Sequence, residues 1–553
     1  MRLSRCLLAI SLSVLYSAYP ITPAALSQES PAKISINEVQ IMMDDSVTLA
    51  TDIYLPSEKG KFPCILIRSP YDKKNSQKDA TWFAENGFAV VSQDTRGKFA
   101  SEGVFYPFIH ERKDGLATIA WINQQSWYNG KIGGFGGSYV GYTQLAIADH
   151  LDAITPHMTG ADMYGLIYPG GLFSLATCFN WGLVVDAKKG NPIPPQKILA
   201  SYFILPLTVA DDSTFKPNQF LDDWLTHQYR DAYWGAQNHR GPLNCAVLSI
   251  GGWYDIFLKA QIEDFQALGP GAHPGSRLII GPWAHGKPGV DLDFGGSQKT
   301  GHVKAFQRQF LAKMLKDSAL KLEDEAFKPT RYSLFIMQRN EYFGCDQYPP
   351  KETALLQYYL TSANTVSRKQ SAVEEQFKFT YDPLNPFPNK GGTFLGVGVG
   401  PAWQNKNCSR RDQVIFETEP LDSPLVLLGP LSATLYASTD APSTDFIVCL
   451  QDVYPDSQVL HIQEGGTTIY SDATSAPRIQ KVDISVWATG YQLNPGHKLR
   501  VSICSSWFPR FNRNLNSGEP IASAKTPRLA NQVIYVGRKY PSHVTLPVLD
   551  LKD

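Results

Sequence analysis

The stretch Asn129-Gly130-Lys131-Ile132-Gly133-Gly134-Phe135-Gly136-Gly137-Ser138-Tyr139-Val140-Gly141-Tyr142 constrains this chain more than any other. A short, glycine-rich apolar run ends in Gly136-Gly137, a serine follows, and a helix-compatible run continues from Tyr142 to Ala148. These residues suit a sharp turn from a buried strand into a helix, where small neighbours let a strained serine stand out at the strand's end. The helix behind it offers backbone N–H groups to a developing oxyanion. The usual spacing, G-x-S-x-G, is met before the serine by Gly136, but Val140 stands where the second glycine is expected and Gly141 comes one place later. Taken alone, the pattern also fits a glycine-rich structural turn with an incidental serine.

The surrounding sequence favours the first reading. Ile34 to Met43 and Val47 to Leu55 predict two strands joined by the turn signal Asp44-Asp45-Ser46. Buried-strand runs follow at Phe62 to Arg68 and Phe88 to Gln93, with a helix ending near Asn86 and another over Arg112 to Gln124. Strands alternating with helices at this spacing predict a doubly wound parallel α/β domain, first part 28–150. Residues 151–240 carry no clear strand alternation and are rich in proline and aromatics, which predicts a helical cap over the sheet. Most of its aromatics, Trp181 and Trp224 among them, are expected in the cap's own core and one or two in a pocket. The α/β pattern resumes over 241–330, with strands at Cys245 to Ile250 and Arg277 to Ile280 and an amphipathic helix over Val303 to Leu315. From 331 to 553 short apolar runs punctuated by Pro, Gly, Asn and Ser predict a β-sandwich or jelly roll.

Composition removes several classes of function. With 51 basic and 51 acidic residues the chain has no excess charge to draw it to nucleic acid or to an anionic membrane surface. The start of the chain reads as a secretory signal: Arg2 and Arg5 form a basic region, Cys6 to Tyr16 a short apolar one, and Ala25-Leu26-Ser27 a cleavage site. Residues 1–27 would then be removed, leaving a secreted or periplasmic protein without a membrane span. Seven cysteines remain after Cys6, widely spaced and without C-x-x-C, which excludes a zinc motif and a dense disulfide framework. Cys64, Cys245, Cys449 and Cys504 lie in apolar runs and are expected as buried thiols, whereas Cys345 and Cys408 are the expected disulfide partners. The oligomeric state is left open, a homo-oligomer included.

A serine becomes a nucleophile only beside a base, and that base needs a carboxylate to hold its tautomer. Ser138, Asp255 and His285 occur in that chain order, and each follows the C-terminal end of a predicted strand, the edge where open parallel sheets build their sites. Asp255 read singly fits a turn cap, and His285 is one of 11 histidines. The others, His157 included, lie elsewhere in the predicted pattern, with His302 at the start of a helix as the best-placed rival. For the oxyanion, the backbone N–H of Tyr139 is one candidate donor and the phenol of Tyr71, just after a strand, the other.

These motifs resemble the cocaine-esterase-like and X-prolyl dipeptidyl-peptidase superfamily (CocE/NonD hydrolases), which also holds the α-amino-acid ester hydrolases and cephalosporin acylases. The resemblance runs through Ser69-Pro70-Tyr71-Asp72-Lys73, Gln93-Asp94-Thr95-Arg96-Gly97 with Ser101-Glu102-Gly103, Gly136-Gly137-Ser138-Tyr139-Val140-Gly141, Gly252-Trp253-Tyr254-Asp255 and Gly281-Pro282-Trp283-Ala284-His285-Gly286. It extends to Pro495-Gly496-His497 and Phe508-Pro509-Arg510-Phe511, and so covers nearly all of the chain after the signal. The family form G-x-S-Y-x-G accounts for Val140. The resemblance implies an α/β-hydrolase domain, an inserted helical cap and a C-terminal jelly roll. It implies Ser138 as nucleophile, His285 as base, Asp255 as its orienter, Tyr71 and the Tyr139 N–H as oxyanion hole, and an acyl-enzyme from an ester or amide, with no metal or other cofactor.

One departure bears on substrate. Where the amino-acid ester hydrolases carry acidic residues after the triad aspartate, this chain has Phe257 and Leu258. A substrate ammonium would meet an apolar wall there. Phe257 resembles the aromatic lining of the cocaine-esterase pocket, and Trp253 is assigned to the pocket with it. The expected substrate is a small-molecule ester or amide, or a short peptide, with an apolar or aryl acyl group. An X-Pro dipeptidyl-peptidase and a non-catalytic binding protein using its β domain are the alternatives.

Overall fold

The structure, a computed structural model, describes residues 34–186, 194–212, 217–288, 301–316, 327–471 and 477–551. The expected signal, 1–27, lies outside the described residues. Strands covered by other layers on both faces have no solvent side and are apolar along their length. The central strands of the first sheet follow this rule, whereas its edge strand β1 (Ser35–Met42) is mostly exposed; the others are β2 (Thr48–Leu55), β3 (Phe62–Ser69), β4 (Ala89–Asp94), β5 (Tyr128–Gly137), β6 (Ala153–His157), β7 (Ala246–Tyr254) and β8 (Arg277–Ala284). β4 and β7 are buried at every residue. After a two-residue strand β9 (Lys287–Pro288), the sheet is completed by β10 (Tyr332–Ile336) and β11 (Glu341–Cys345), in the order β1-β2-β4-β3-β5-β6-β7-β8-β10-β11. The centre is parallel, with registers such as Ile65↔Val90, Phe135↔Thr155 and Ile250↔Ile279. β1, β2 and β11 are the antiparallel edges.

The helices are α1 (Gln77–Glu85), α2 (Glu111–Asn123), α3 (Tyr139–Leu145), the cap helices α4 (Met163–Ile167), α5 (Leu175–Asp186), α6 (Pro195–Ser201), α7 (Gln219–Thr226) and α8 (Ala232–Gly235), then α9 (Leu258–Gln266) and α10 (Gly301–Lys316). Phe108, Tyr139 and Tyr142 share one buried cluster with Phe173, Phe179, Phe220 and Trp224, so the cap's core is continuous with the turn after β5. Among the described residues no helix is long and apolar enough to cross a membrane.

The remaining strands are β12 (Thr353–Leu360), β13 (Val366–Ser367), β14 (Glu375–Tyr381), β15 (Val397–Val399), β16 (Gln413–Glu417), β17 (Leu425–Thr439), β18 (Ser443–Val453), β19 (Val459–Tyr470), β20 (Gln480–Leu493), β21 (Lys498–Cys504), β22 (Ala530–Val536) and β23 (His543–Leu549). All but β15 form two antiparallel sheets, one in the order β13-β12-β23-β17-β22-β14 with β20 beside β17, the other β16-β21-β18-β19. Their apolar residues share a core with the first sheet. β15 pairs in parallel with β9, tying a β-domain loop to the segment just after β8.

Three expectations are corrected. The stretch 151–240 begins with a strand of the main sheet, β6, so the cap starts after it. The β domain starts after β11, since β10 and β11 extend the first sheet past residue 331. Cys345 and Cys408 are not joined: all seven described cysteines are free thiols. Cys345 ends β11, and Cys408 lies in a β-domain loop with its Sγ 3.0 Å from an Arg500 guanidinium nitrogen. Cys64, Cys245, Cys449 and Cys504 are buried as expected.

Candidate active site

The end of β5 turns into α3 through Ser138, whose backbone sits at φ 54°, ψ −130°. Such a conformation is held only when its neighbours leave room. Gly136 has φ +136°, and a Cβ there would lie 2.3 Å from Val140 Cγ1. The second glycine is Gly141 because a Cβ at that position would meet Thr159 Cγ2 at 2.5 Å, whereas Val140 is partly exposed. The displaced glycine thus follows from which turn of α3 rests on the segment after β6.

Ser138, Asp255 and His285 follow the C-terminal ends of β5, β7 and β8 and converge there. His285 Nε2 lies 3.1 Å from Ser138 Oγ, and His285 Nδ1 lies 2.7 Å from Asp255 Oδ2. Asp255 is fully buried, and its Oδ1 accepts the Phe257 N–H at 2.8 Å. A buried carboxylate committed to one imidazole nitrogen sets the tautomer in which Nε2 faces the serine as a base. His302 is exposed near the start of α10 and takes no part.

Tyr71, two residues beyond β3, receives a hydrogen bond from Trp181 Nε1 at 2.9 Å and has the Ser138 hydroxyl as its other polar neighbour. Burial pushes its phenol up, partly offset by those two contacts. Tyr139 opens α3, so its N–H has no acceptor within the helix. Its side chain is pinned: the hydroxyl donates to Glu111 Oε1 at 2.7 Å and accepts from the Phe108 N–H at 2.9 Å. Glu111 is buried and ion-paired with Arg68 at 3.0 Å; burial pushes its carboxyl up while Arg68 pulls it down.

A cavity opens onto Ser138 and His285. Phe108, Met163, Leu166, Trp181, Trp224, Ile256, Phe257 and Leu395 supply most of its wall, and among the described residues no lining side chain is a carboxylate. The Phe257 ring lies 5.6 Å from that of His285. Two cap aromatics, Trp181 and Trp224, line the cavity. Trp253 is not in the pocket: it is fully buried, and its Nε1 donates to the Phe335 carbonyl at 2.6 Å on the far side of β7.

Reading the sequence did not assign Trp181, Leu395, Glu111 or His157 to the site. Leu395 comes from the β domain, held between Thr177 Oγ1, which accepts its N–H at 3.3 Å, and Asn180 Nδ2, which donates to its carbonyl at 2.7 Å. His157 ends β6, and its carbonyl accepts the Ser138 N–H at 2.9 Å. Burial holds its imidazole down at about 4, with Asp255 pulling the other way, so it stays neutral beside Asp255 and His285. Its only sequence signal was a strand too short to stand out.

The family follows from comparison with known proteins. Residues 45–287 match the model of the X-Pro dipeptidyl-peptidase (S15) family, and residues 325–545 match that of the X-Pro dipeptidyl-peptidase C-terminal non-catalytic domain. The chain belongs to this family and is a serine hydrolase, acting on an ester or amide bond through an acyl-enzyme. More particularly, it is 32% identical to the cocaine esterase of Rhodococcus sp. (strain MB1 Bresler), over 93% of this chain and 98% of the relative. Among solved structures, an aminopeptidase from a marine sediment Thaumarchaeota archaeon superposes with a TM-score of 0.79 at 22% identity, covering 97% of this chain and 99% of that one. An α-amino acid ester hydrolase superposes with a TM-score of 0.77 at 23% identity, covering 96% and 100%. These two likenesses establish the fold.

Proposed function

We propose that the protein is an esterase for neutral esters with an apolar or aryl acyl group, with Ser138 as nucleophile. The observation that carries this reading is His285 bridging Ser138 Oγ and Asp255 at the mouth of an apolar cavity. Ser138 Oγ attacks the ester carbonyl carbon as His285 Nε2 takes its proton, and the carbonyl π electrons move to oxygen. Tyr71 O–H and Tyr139 N–H donate to that oxyanion. Collapse breaks the bond to the alcohol, which leaves with the proton from His285. Water then repeats the sequence on the acyl-enzyme, freeing the acid and restoring Ser138.

The acyl wall supports an apolar group. An α-amino acyl group or a peptide N-terminus carries an ammonium that needs a carboxylate to offset its desolvation, and the described residues of the cavity lining offer none. This disfavours the X-Pro dipeptidyl-peptidase alternative. The two-sheet β domain supports the jelly-roll reading, and the residues Arg2 to Ser27 support export with cleavage after Ser27. Two measurements test the proposal. A fluorophosphonate adduct should map to the Ser138 peptide by mass spectrometry. kcat/KM should favour a phenylacetyl ester over the matching phenylglycyl ester; the reverse order would overturn the acyl assignment and leave the nucleophile standing.

A further inference from the structure

We infer that Trp181, from the cap, is a positioning residue that sets the direction in which the Tyr71 hydroxyl donates. This rests on the reading of Tyr71 as an oxyanion donor. A phenol carries one proton and is free to turn, so a buried tyrosine can either give or receive a hydrogen bond. In an oxyanion hole only giving is useful. A tyrosine that receives the Ser138 proton competes with His285 for it and presents its oxygen, not its hydrogen, to the developing negative charge.

Trp181 removes that ambiguity. An indole N–H donates and never accepts. With Nε1 2.9 Å from the Tyr71 oxygen, the phenol must be the acceptor in that contact. Its own proton then turns to the remaining side, where the neighbour is Ser138. Donation into the phenol oxygen also polarises its O–H and strengthens it as a donor.

The indole is fixed by its surroundings. Its ring stacks on Tyr139 at 5.9 Å and 6°, on Phe108 at 5.7 Å and 19°, and on Trp224 at 6.0 Å and 26°. One cap side chain therefore touches both oxyanion residues, hydrogen-bonding Tyr71 and packing on Tyr139. The cap shapes the acyl pocket and also orients the hole.

The test separates the N–H from the ring. Trp181 is replaced by β-(3-benzothienyl)alanine, which keeps the shape and puts sulfur in place of N–H, in wild-type and Tyr71→Phe backgrounds. Substrate is a 4-nitrophenyl acetate, whose small acyl group makes little use of the pocket, and each protein's Tm is recorded. Tyr71→Phe alone should lower kcat about 10²-fold or more. In the Tyr71 enzyme the benzothienyl variant should lower kcat about 10-fold with KM within two-fold, and in the Tyr71→Phe enzyme its further effect should fall below about two-fold. An equal loss in both backgrounds, or no loss in the Tyr71 enzyme, overturns the inference and leaves Tyr71 as a donor. A Tyr71→Phe enzyme with normal kcat overturns the hole assignment and the inference with it.

Discussion

Asp255→Asn changes one atom in the site, and its cost follows from the contacts. Asn keeps an oxygen for the Phe257 N–H, which Asp255 Oδ1 now accepts at 2.8 Å, so the turn after β7 is retained. The amide nitrogen then occupies the place of Oδ2, 2.7 Å from His285 Nδ1. An amide nitrogen donates, so Nδ1 must accept, and the ring proton moves to Nε2. Nε2 is 3.1 Å from Ser138 Oγ and would now point a hydrogen at the atom whose proton it has to take. The wrong tautomer is worth about 10⁴-fold in kcat, about 5 kcal/mol of barrier. The assay is kcat for a 4-nitrophenyl ester, with Tm and the rate of fluorophosphonate labelling on the same preparations. Labelling should slow in parallel with turnover while Tm stays near wild type. A folded Asp255→Asn enzyme within about 30-fold of wild type would refute the reasoning, since no donor at that position leaves Nε2 a base.

Other expectations are open to direct measurement. Ser138→Ala should fold normally, retain less than about one per cent of turnover and take up no fluorophosphonate. In the wild type, a phenyl ring placed in the cavity covers about 100 Å² of apolar surface, worth about 2.5 kcal/mol. A phenylacetyl ester should accordingly exceed an acetyl ester in kcat/KM by well over ten-fold, and equal values would contradict an acyl role for the cavity. Phe257→Glu should move the phenylacetyl-to-phenylglycyl ratio toward the amine and lower both rates, because a second carboxylate then stands near Asp255. Asp445 is buried, accepts from Thr468 Oγ1 at 2.7 Å and Asn514 Nδ2 at 2.9 Å, and is pushed up to about 7 by burial. Its folded pKa exceeds its unfolded value of about 4, so the fold favours the acid and loses stability as pH rises through that window. Asp445→Asn should raise Tm at pH 8 and change it little at pH 4; the same shift at both would show that ionisation is not involved.

How far the sequence could be read depended on whether neighbours in space were neighbours in sequence. Ser138, Asp255 and His285 were legible because each follows a run of strand residues, and strand ends of one parallel sheet share an edge. β6 was missed because Ala153-Ile154-Thr155-Pro156-His157 is short, carries a proline and shows no alternation, so only its partners β5 and β7 make it a strand. With it went His157, whose carbonyl holds the Ser138 N–H. β10 and β11 were assigned to the β domain because an apolar five-residue strand reads alike in either sheet. Phe257 lines the cavity and Trp253 does not, although both flank Asp255. What covers Trp253 is Phe335 of β10 and Gly490 of β20, far along the chain.

That cover leads to the part the β domain plays in the site, set by one irregularity in β19. Opposite β18, Leu450 pairs with Gln463 but Gln451 pairs with His461, so Ile462 is an extra residue and the strand bulges. In a regular strand, residues three apart face opposite ways. The bulge restores them to one face, and His461 Nε2 meets the Glu464 carboxylate. Glu464 is fully buried, ion-paired with Arg510, and its Oε1 accepts the Thr393 N–H at 2.9 Å. Thr393 is two residues before Leu395, which lines the cavity. Gln463 faces the other way, and its Nε2 donates to the carbonyls of Trp253 at 3.0 Å and Ala488 at 2.9 Å. Trp253 is two residues before Asp255. Adjacent side chains of one bulged strand thus hold the loop that ends at the pocket wall and the strand that ends at the triad carboxylate. The β domain reaches the cavity through backbone it holds in place, and among the described residues Leu395 is its one side chain in the lining.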